Sequence, residues 1–244
     1  MRFHPDEPWL AAVEAIVLFG SRSRGDADAH SDADYAAFVD VSGPEEMIRV
    51  KRLMLDKQDD PRLSLSLYSK ATANQMKAGG SLFLWHLKLE GCVQYRRSDW
   101  IDCLMVELAP YSRARAQEDL ATLKVVLRDI QQSLREDPLT LVFEVSTLFS
   151  VARTLGMIHT TLLGRPAFGR MEPILQLNQL AADQDQLTVR ELDALVSARM
   201  IYTRKDPESE FSMDPSKSLR LWGKVFGLLT AVEEANREPV RANT

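Results

Sequence analysis

The stretch VLFGSRSRGDADAHSDADYAAF, residues 17–38, decides how the rest of the chain is read. An apolar run ends abruptly at Gly20-Ser21, two arginines follow, and Asp32-Ala33-Asp34 leads into a second apolar run. Residues 15–19 read as a short buried strand and residues 34–40 as a second one, since brief apolar runs bounded by glycine and polar clusters suit buried strands. Glycine lets a tight turn bring backbone N–H groups close to a phosphate. The Ser21 hydroxyl and the amides after it can hold phosphate oxygens. Asp32 and Asp34 stand two apart at the head of the second strand, so both point to one face. Two carboxylates so placed suit a hard divalent cation. Mg²⁺ fits best, because it takes a few carboxylates together with substrate phosphates and water. A phosphate-gripping turn beside a carboxylate pair suits metal-assisted nucleotidyl transfer.

Around this stretch the first hundred residues alternate strands and helices. Residues 8–15 suit a short helix with proline near its start. Residues 44–56 read as a helix after a turn, and residues 63–68, Leu-Ser-Leu-Ser-Leu-Tyr, alternate as a half-buried strand. Residues 69–77 and 81–90 look helical, and residues 91–95 form a last strand. From residue 114 the strand signal vanishes. Residues 116–136, 138–163, 171–183, 188–203 and 215–237 carry helix-period apolar positions, a bundle of four or five members. Residues 238–244 look frayed. The expected architecture is an α+β domain over residues 1–110, a mixed sheet with flanking helices, followed by an all-α helical bundle over residues 111–244.

Composition sets outer limits. The chain has 244 residues, 45% of them hydrophobic, enough for two modest cores. A net charge of −5 argues against non-specific nucleic-acid binding, while leaving room for a local basic pocket. The two cysteines, Cys92 and Cys103, make neither a disulfide framework nor a zinc site, which suits a reducing compartment. The first residues lack an apolar signal core, and no apolar run is expected to reach the roughly 18–20 residues that cross a bilayer. These features predict a cytoplasmic protein without a membrane partner.

Gly20-Ser21 followed by Asp32-x-Asp34, with Arg22, Arg24 and Gly25 between, resembles the nucleotidyltransferase superfamily. That superfamily includes DNA polymerase beta, the aminoglycoside nucleotidyltransferases and the minimal bacterial enzymes. A second stretch, GSLFLWHLKLEG at residues 80–91, is similar to a segment of its bacterial members. The resemblance spans about residues 10–95. It implies a Mg²⁺-dependent enzyme that moves an NMP from an NTP, with ATP the first choice, to an acceptor hydroxyl and releases pyrophosphate. Asp32 and Asp34 would be the metal-binding and catalytic carboxylates. Gly20, Ser21, Arg22 and Arg24 would bind the nucleotide.

The family also places a third carboxylate on a later strand, where it completes the metal site and helps deprotonate the acceptor. Here Ser64 and Ser66 occupy the matching strand. Asp59 and Asp60 precede it and would substitute in another register. Asp40 lies about 20 Å along an extended strand from Asp34 and is a poor replacement. Arg22 and Arg24 have two readings, as phosphate clamps or as partners of Asp26 and Asp28 in a surface loop. His30 reads as an exposed loop residue, and Ser31 as a cap of the turn.

In the helical half, Arg153 and His159 stand six apart, about 120° around a helix. Their spacing resembles the Arg-x(4–6)-His motif of the HEPN bundles, some of which are ribonucleases. The same half in two-domain transferases supplies a wall for the acceptor, which could be an antibiotic, an RNA, a protein or a small metabolite. Glu144, a lone acid in an apolar helix, reads as either solvent-facing or acceptor-binding. The alternative to an enzyme is a degenerate binding or regulatory module whose bundle forms a homodimer or holds a partner such as a toxin.

Overall fold

The computed structural model describes residues 7–27, 31–41, 43–56, 62–204, 211 and 213–237. Asp28, His30, Asp59, Asp60 and residues 238–244 lie outside them. The chain divides into two compact units, Met1–Tyr111 and Ser112–Thr244.

The first unit is a four-stranded mixed sheet with helices on both faces. It runs from a 3₁₀ turn at Pro8–Ala12 into β1 (Val13–Phe19), a single helical turn α1 (Ser21–Arg24) and β2 (Ala33–Val39). α2 (Pro44–Asp56), β3 (Leu63–Ser69), α3 (Lys70–Ala78), α4 (Leu82–Glu90), β4 (Cys92–Arg96) and α5 (Trp100–Val106) follow. The strand order is β3-β2-β1-β4. β1 is antiparallel to both neighbours, and β2 and β3 are parallel.

Two-residue alternation divides the sheet's side chains between two cores. Val13, Ile16, Tyr35, Ala37, Val39 and Leu65 pack with Trp9, Leu10 and the α2 residues Val50 and Met54. Ala15, Val17, Ala36 and Phe38 pack on the other face with Ala73, Leu84, Leu87, Ile101 and Leu104 of α3, α4 and α5. Phe38 is wholly buried, its ring 5.9 Å from Tyr68 and 5.7 Å from Trp100. Burial of one such side chain contributes roughly 1.5–3 kcal/mol.

Two local readings are corrected here. The helix expected over residues 8–15 is only the 3₁₀ turn, because β1 begins at Val13 and pairs at once with Val39. The register then slips, Ala15 facing Phe38, so Glu14 is the extra residue of a bulge. The bulge directs Glu14, 3% exposed, into a cluster with Lys70 (3.3 Å), Arg97 (2.8 Å) and Ser98. Burial would raise its carboxyl, but those hydrogen bonds outweigh it and hold Glu14 below the usual carboxylate range. The second difference is α5, a helix that no expected element covers; Ile101 and Leu104 tie it to the core.

The second unit is all helical in its described residues: α6 (Arg113–Glu136), α7 (Leu141–Leu162), α8 (Glu172–Asn178), α9 (Val189–Arg204) and α10 (Pro215–Arg237). The helix expected over residues 171–183 stops at Asn178, whose side chain accepts from the Leu187 amide and donates to its carbonyl. α7 packs against the other four. By length and composition α7 could cross a membrane, which corrects the expectation that no run would. More than half of its apolar stretch is buried in the unit, as in the core helix of a bundle.

Candidate functional site

Gly20 sits at φ 77° and ψ −155°, a backbone region open essentially to glycine alone. A Cβ there would lie 2.9 Å from Asp34 Oδ2, so the missing side chain is what lets the Asp34 carboxylate lie against the turn. The pairing of Phe19 with Asp34 across β1 and β2 sets this approach. Asp34 shares its face of β2 with Ala36 and Phe38, and Asp32 lies one residue before the strand begins at Ala33. Both aspartates are partly exposed.

After Gly20 the chain makes the single turn α1. The amides of Ser23 and Arg24 both donate to the Gly20 carbonyl at 3.1 Å, and Gly25 closes the turn at φ 81°. The Ser21 amide and hydroxyl stand at its head, ahead of the first internal bond. Arg22 Nη2 donates to the Ser31 carbonyl at 3.1 Å, which draws in the chain just before Asp32. Arg24 donates to Asp26 at 3.1 Å and to Glu90 at 2.7 Å. Glu90 lies 3.0 Å from Nε2 of the buried His86, and its carbonyl accepts from the Ser23 hydroxyl. Burial would raise the Glu90 carboxyl, but His86 and Arg24 outweigh it and hold it below the usual range. Arg24 is raised: burial opposes its charge, and Glu90 and Asp26 overcome that. His86 and Glu90 belong to the Gly80–Gly91 segment, but the sequence reading gave neither a role. Their i, i+4 spacing on one helix was the available signal.

β3 presents no third acid. In the parallel register Asp34 pairs with Ser64, Ala36 with Ser66 and Phe38 with Tyr68. Ser64 is exposed, and the Ser66 side chain hydrogen-bonds Tyr68, whose hydroxyl burial raises. Asp40 lies at the far end of β2, 3.4 Å from Lys70 and 3.7 Å from Arg97. Among the described residues, no three His, Cys, Asp or Glu side chains converge as a metal site. Asp34 at the turn, with Asp32 two residues before it, is the carboxylate set expected to suit a divalent ion that also takes phosphate oxygens and water.

In the second unit, Arg153 donates from Nε to the Gly169 carbonyl at 3.0 Å and from Nη2 to that of Phe168 at 2.6 Å. His159 is half-buried one and a half turns on. Burial lowers its pKa, and Arg165 adds to the effect. Glu144 is buried, 5% exposed, rather than facing solvent.

Residues 6–77, which hold the Gly20 turn and the Asp32–Asp34 strand, match the family model of the nucleotidyltransferase domain. The first unit carries a nucleotidyltransferase domain. The reaction that names this family is nucleotidyl transfer, and its members typically use a divalent metal. No curated protein matches the chain. Among solved structures, the chain is similar to a spectinomycin adenyltransferase from Enterococcus faecialis, determined with ATP and spectinomycin. That similarity has 9% identity and a TM-score of 0.49, over 91% of this chain and 92% of that one. It is also similar to a nucleotidyltransferase-like protein from Exiguobacterium sibiricum, at 11% identity and a TM-score of 0.35, over 90% of this chain and 69% of that one.

Proposed function

We propose that the nucleotidyltransferase domain moves an NMP from a Mg²⁺-bound NTP, ATP in the first instance, to an acceptor hydroxyl and releases pyrophosphate. The observation that carries this reading is the Asp34 carboxylate lying against a glycine that has no room for a side chain. Asp32 and Asp34 would hold the metal. Bound there, Mg²⁺ would neutralise charge on the phosphates and on the departing pyrophosphate. Gly20 keeps the turn open to a phosphate, and the Ser21 amide and hydroxyl bind its oxygens. Arg22, through the Ser31 carbonyl, fixes the approach of the strand that bears both aspartates.

Ser64 and Ser66 shape the rate. A hydroxyl orients water but neither neutralises a cation nor takes a proton near neutral pH. A positioned general base contributes about 10²–10⁴-fold, so transfer is slow relative to a three-carboxylate site. The same serines favour a second reading, a module that binds Mg²⁺·NTP and transfers nothing. Incubation with NTPs labelled at the α-phosphate, Mg²⁺ and antibiotic, RNA and protein acceptors separates the two. Labelled acceptor with stoichiometric pyrophosphate supports transfer, and metal-dependent NTP binding without either product supports the module. A ribonuclease at Arg153 and His159 gains no support, because the Arg153 guanidinium is spent on two loop carbonyls. The free, exposed Cys92 and Cys103 suit a reducing, cytoplasmic setting.

A further inference from the structure

The segment at residues 80–91 has no part in the reaction proposed above, but its last residues hold the phosphate turn. α4 is a firmly seated platform. Gly80 starts the segment at φ 65°, where a Cβ would lie 2.5 Å from the Pro110 carbonyl oxygen. Ser81 caps the helix by accepting from the Phe83 amide, and Trp85 Nε1 donates to the Ala109 carbonyl at 3.0 Å. Leu84 and Leu87 enter the core. At the other end a Cβ on Gly91 would lie 2.3 Å from the Leu87 carbonyl oxygen and 2.7 Å from Val17 Cγ1, so only glycine lets the helix close down on β1.

Glu90 projects from this platform to α1. Its carboxylate takes Arg24, its carbonyl takes the Ser23 hydroxyl, and His86 holds the carboxylate from behind. The His86 ring is itself fixed edge-on to Phe19, 5.3 Å between centroids. The Glu90 and Arg24 side chains are 18% and 22% exposed, so their charge-assisted bond outweighs that of Arg24 to Asp26, which is 59% exposed. Two of the four α1 residues are thus tied to one side chain and its backbone. We propose that Glu90, set by His86, is the positioning residue of the phosphate-gripping turn, holding Ser21 where the NTP phosphates arrive. This assignment rests on the nucleotidyl-transfer reading for what the turn grips.

The test has two independent arms on the full chain, in Glu90→Gln and, in case that variant folds poorly, Arg24→Met. Amide hydrogen exchange over residues 21–26 reads the seating of the turn without nucleotide, and calorimetry with Mg²⁺·ATP reads its consequence. Exchange there and the ATP dissociation constant should both rise about tenfold or more, since a small displacement of a positioning element carries a cost of that order. His86→Gln, which can still donate to Glu90, should stay near wild type, whereas His86→Phe should follow Glu90→Gln. Unchanged exchange in Glu90→Gln and Arg24→Met overturns the assignment. So does faster exchange with ATP affinity held within twofold. A wild-type chain that binds no nucleotide refutes the reading of the preceding section instead, and exchange alone then decides whether Glu90 seats the turn.

Discussion

β2 and β3 run side by side, parallel and in register, over the same face of the sheet. Where β2 brings Asp34, β3 brings Ser64 directly opposite, and Ser66 follows beside Ala36. Paired strands lie about 4.8 Å apart, so an acid at residue 64 would stand next to the Asp34 carboxylate. On the proposed reading, β2 and the residue just before it carry the carboxylates that would hold a cation, and β3 lacks the one that would complete the site and accept a proton. A site divided in this way can bind a metal nucleotide well and turn it over slowly. Under that proposal, substitutions on the two strands should affect binding and chemistry differently.

The largest effect is expected on the β2 side. Asp34→Asn should lower transfer about a thousandfold, roughly 4 kcal/mol, while circular dichroism and thermal midpoint stay near wild type. Near-wild-type turnover in this variant would break the comparison outright. Gly20→Ala comes next. It forces an alanine into a glycine-only backbone region and drives a methyl against Asp34, so the first unit should lose about 1–3 kcal/mol in denaturant titration.

On the β3 side the expected change is a gain. Ser64→Asp places a carboxylate at an exposed position of an edge strand, where the backbone tolerates it. Without metal, two adjacent like charges oppose each other, so the variant should melt slightly earlier. With Mg²⁺ the order should reverse, and transfer should rise about tenfold if the new acid takes the acceptor's proton. A Ser64→Asp chain whose melting and turnover ignore Mg²⁺ would show that register alone does not make the third position.

The smallest effect is a pH dependence. Glu14 and Glu90 are both held below the usual carboxylate range. The unfolded chain therefore binds protons at higher pH than the folded one. Their contribution is complete above the unfolded carboxylate values and is lost as pH falls through the folded ones. Stability of the first unit, followed by denaturant titration, should be flat near neutrality and decline on acidification below the usual glutamate range. Glu14→Gln should flatten that decline.

How far the sequence carried these conclusions varied with the range of the interaction. The alternation Leu-Ser-Leu-Ser-Leu in residues 63–67 is the alternation observed in β3, and the glycine where a strand stops is where the Asp34 carboxylate approaches the backbone. Both are properties of neighbours in the chain. The hold of Glu90 on Arg24 joins residues 66 apart, and no local pattern signals it. Glu14 falls in a stretch, residues 8–15, that suits a helix by sequence, and its bulge is a fact of strand pairing that no single segment shows. Arg153 was read by its spacing to His159, but its hydrogen bonds go to a loop that returns to the helix only in the fold. α7 does not show in the sequence as a long apolar run because Glu144, Arg153 and His159 interrupt a helix that is otherwise apolar enough to span a bilayer.

In the proposed site Asp32 and Asp34 hold a divalent ion against a triphosphate on the Gly20-Ser21 turn. The most direct test is a calorimetric titration of ATP into the wild-type chain and into Asp34→Asn, each with Mg²⁺ and with EDTA. Binding by the wild type should require Mg²⁺ and disappear in the variant. Binding of equal strength in all four titrations, or no binding by the wild type with Mg²⁺ present, would contradict it.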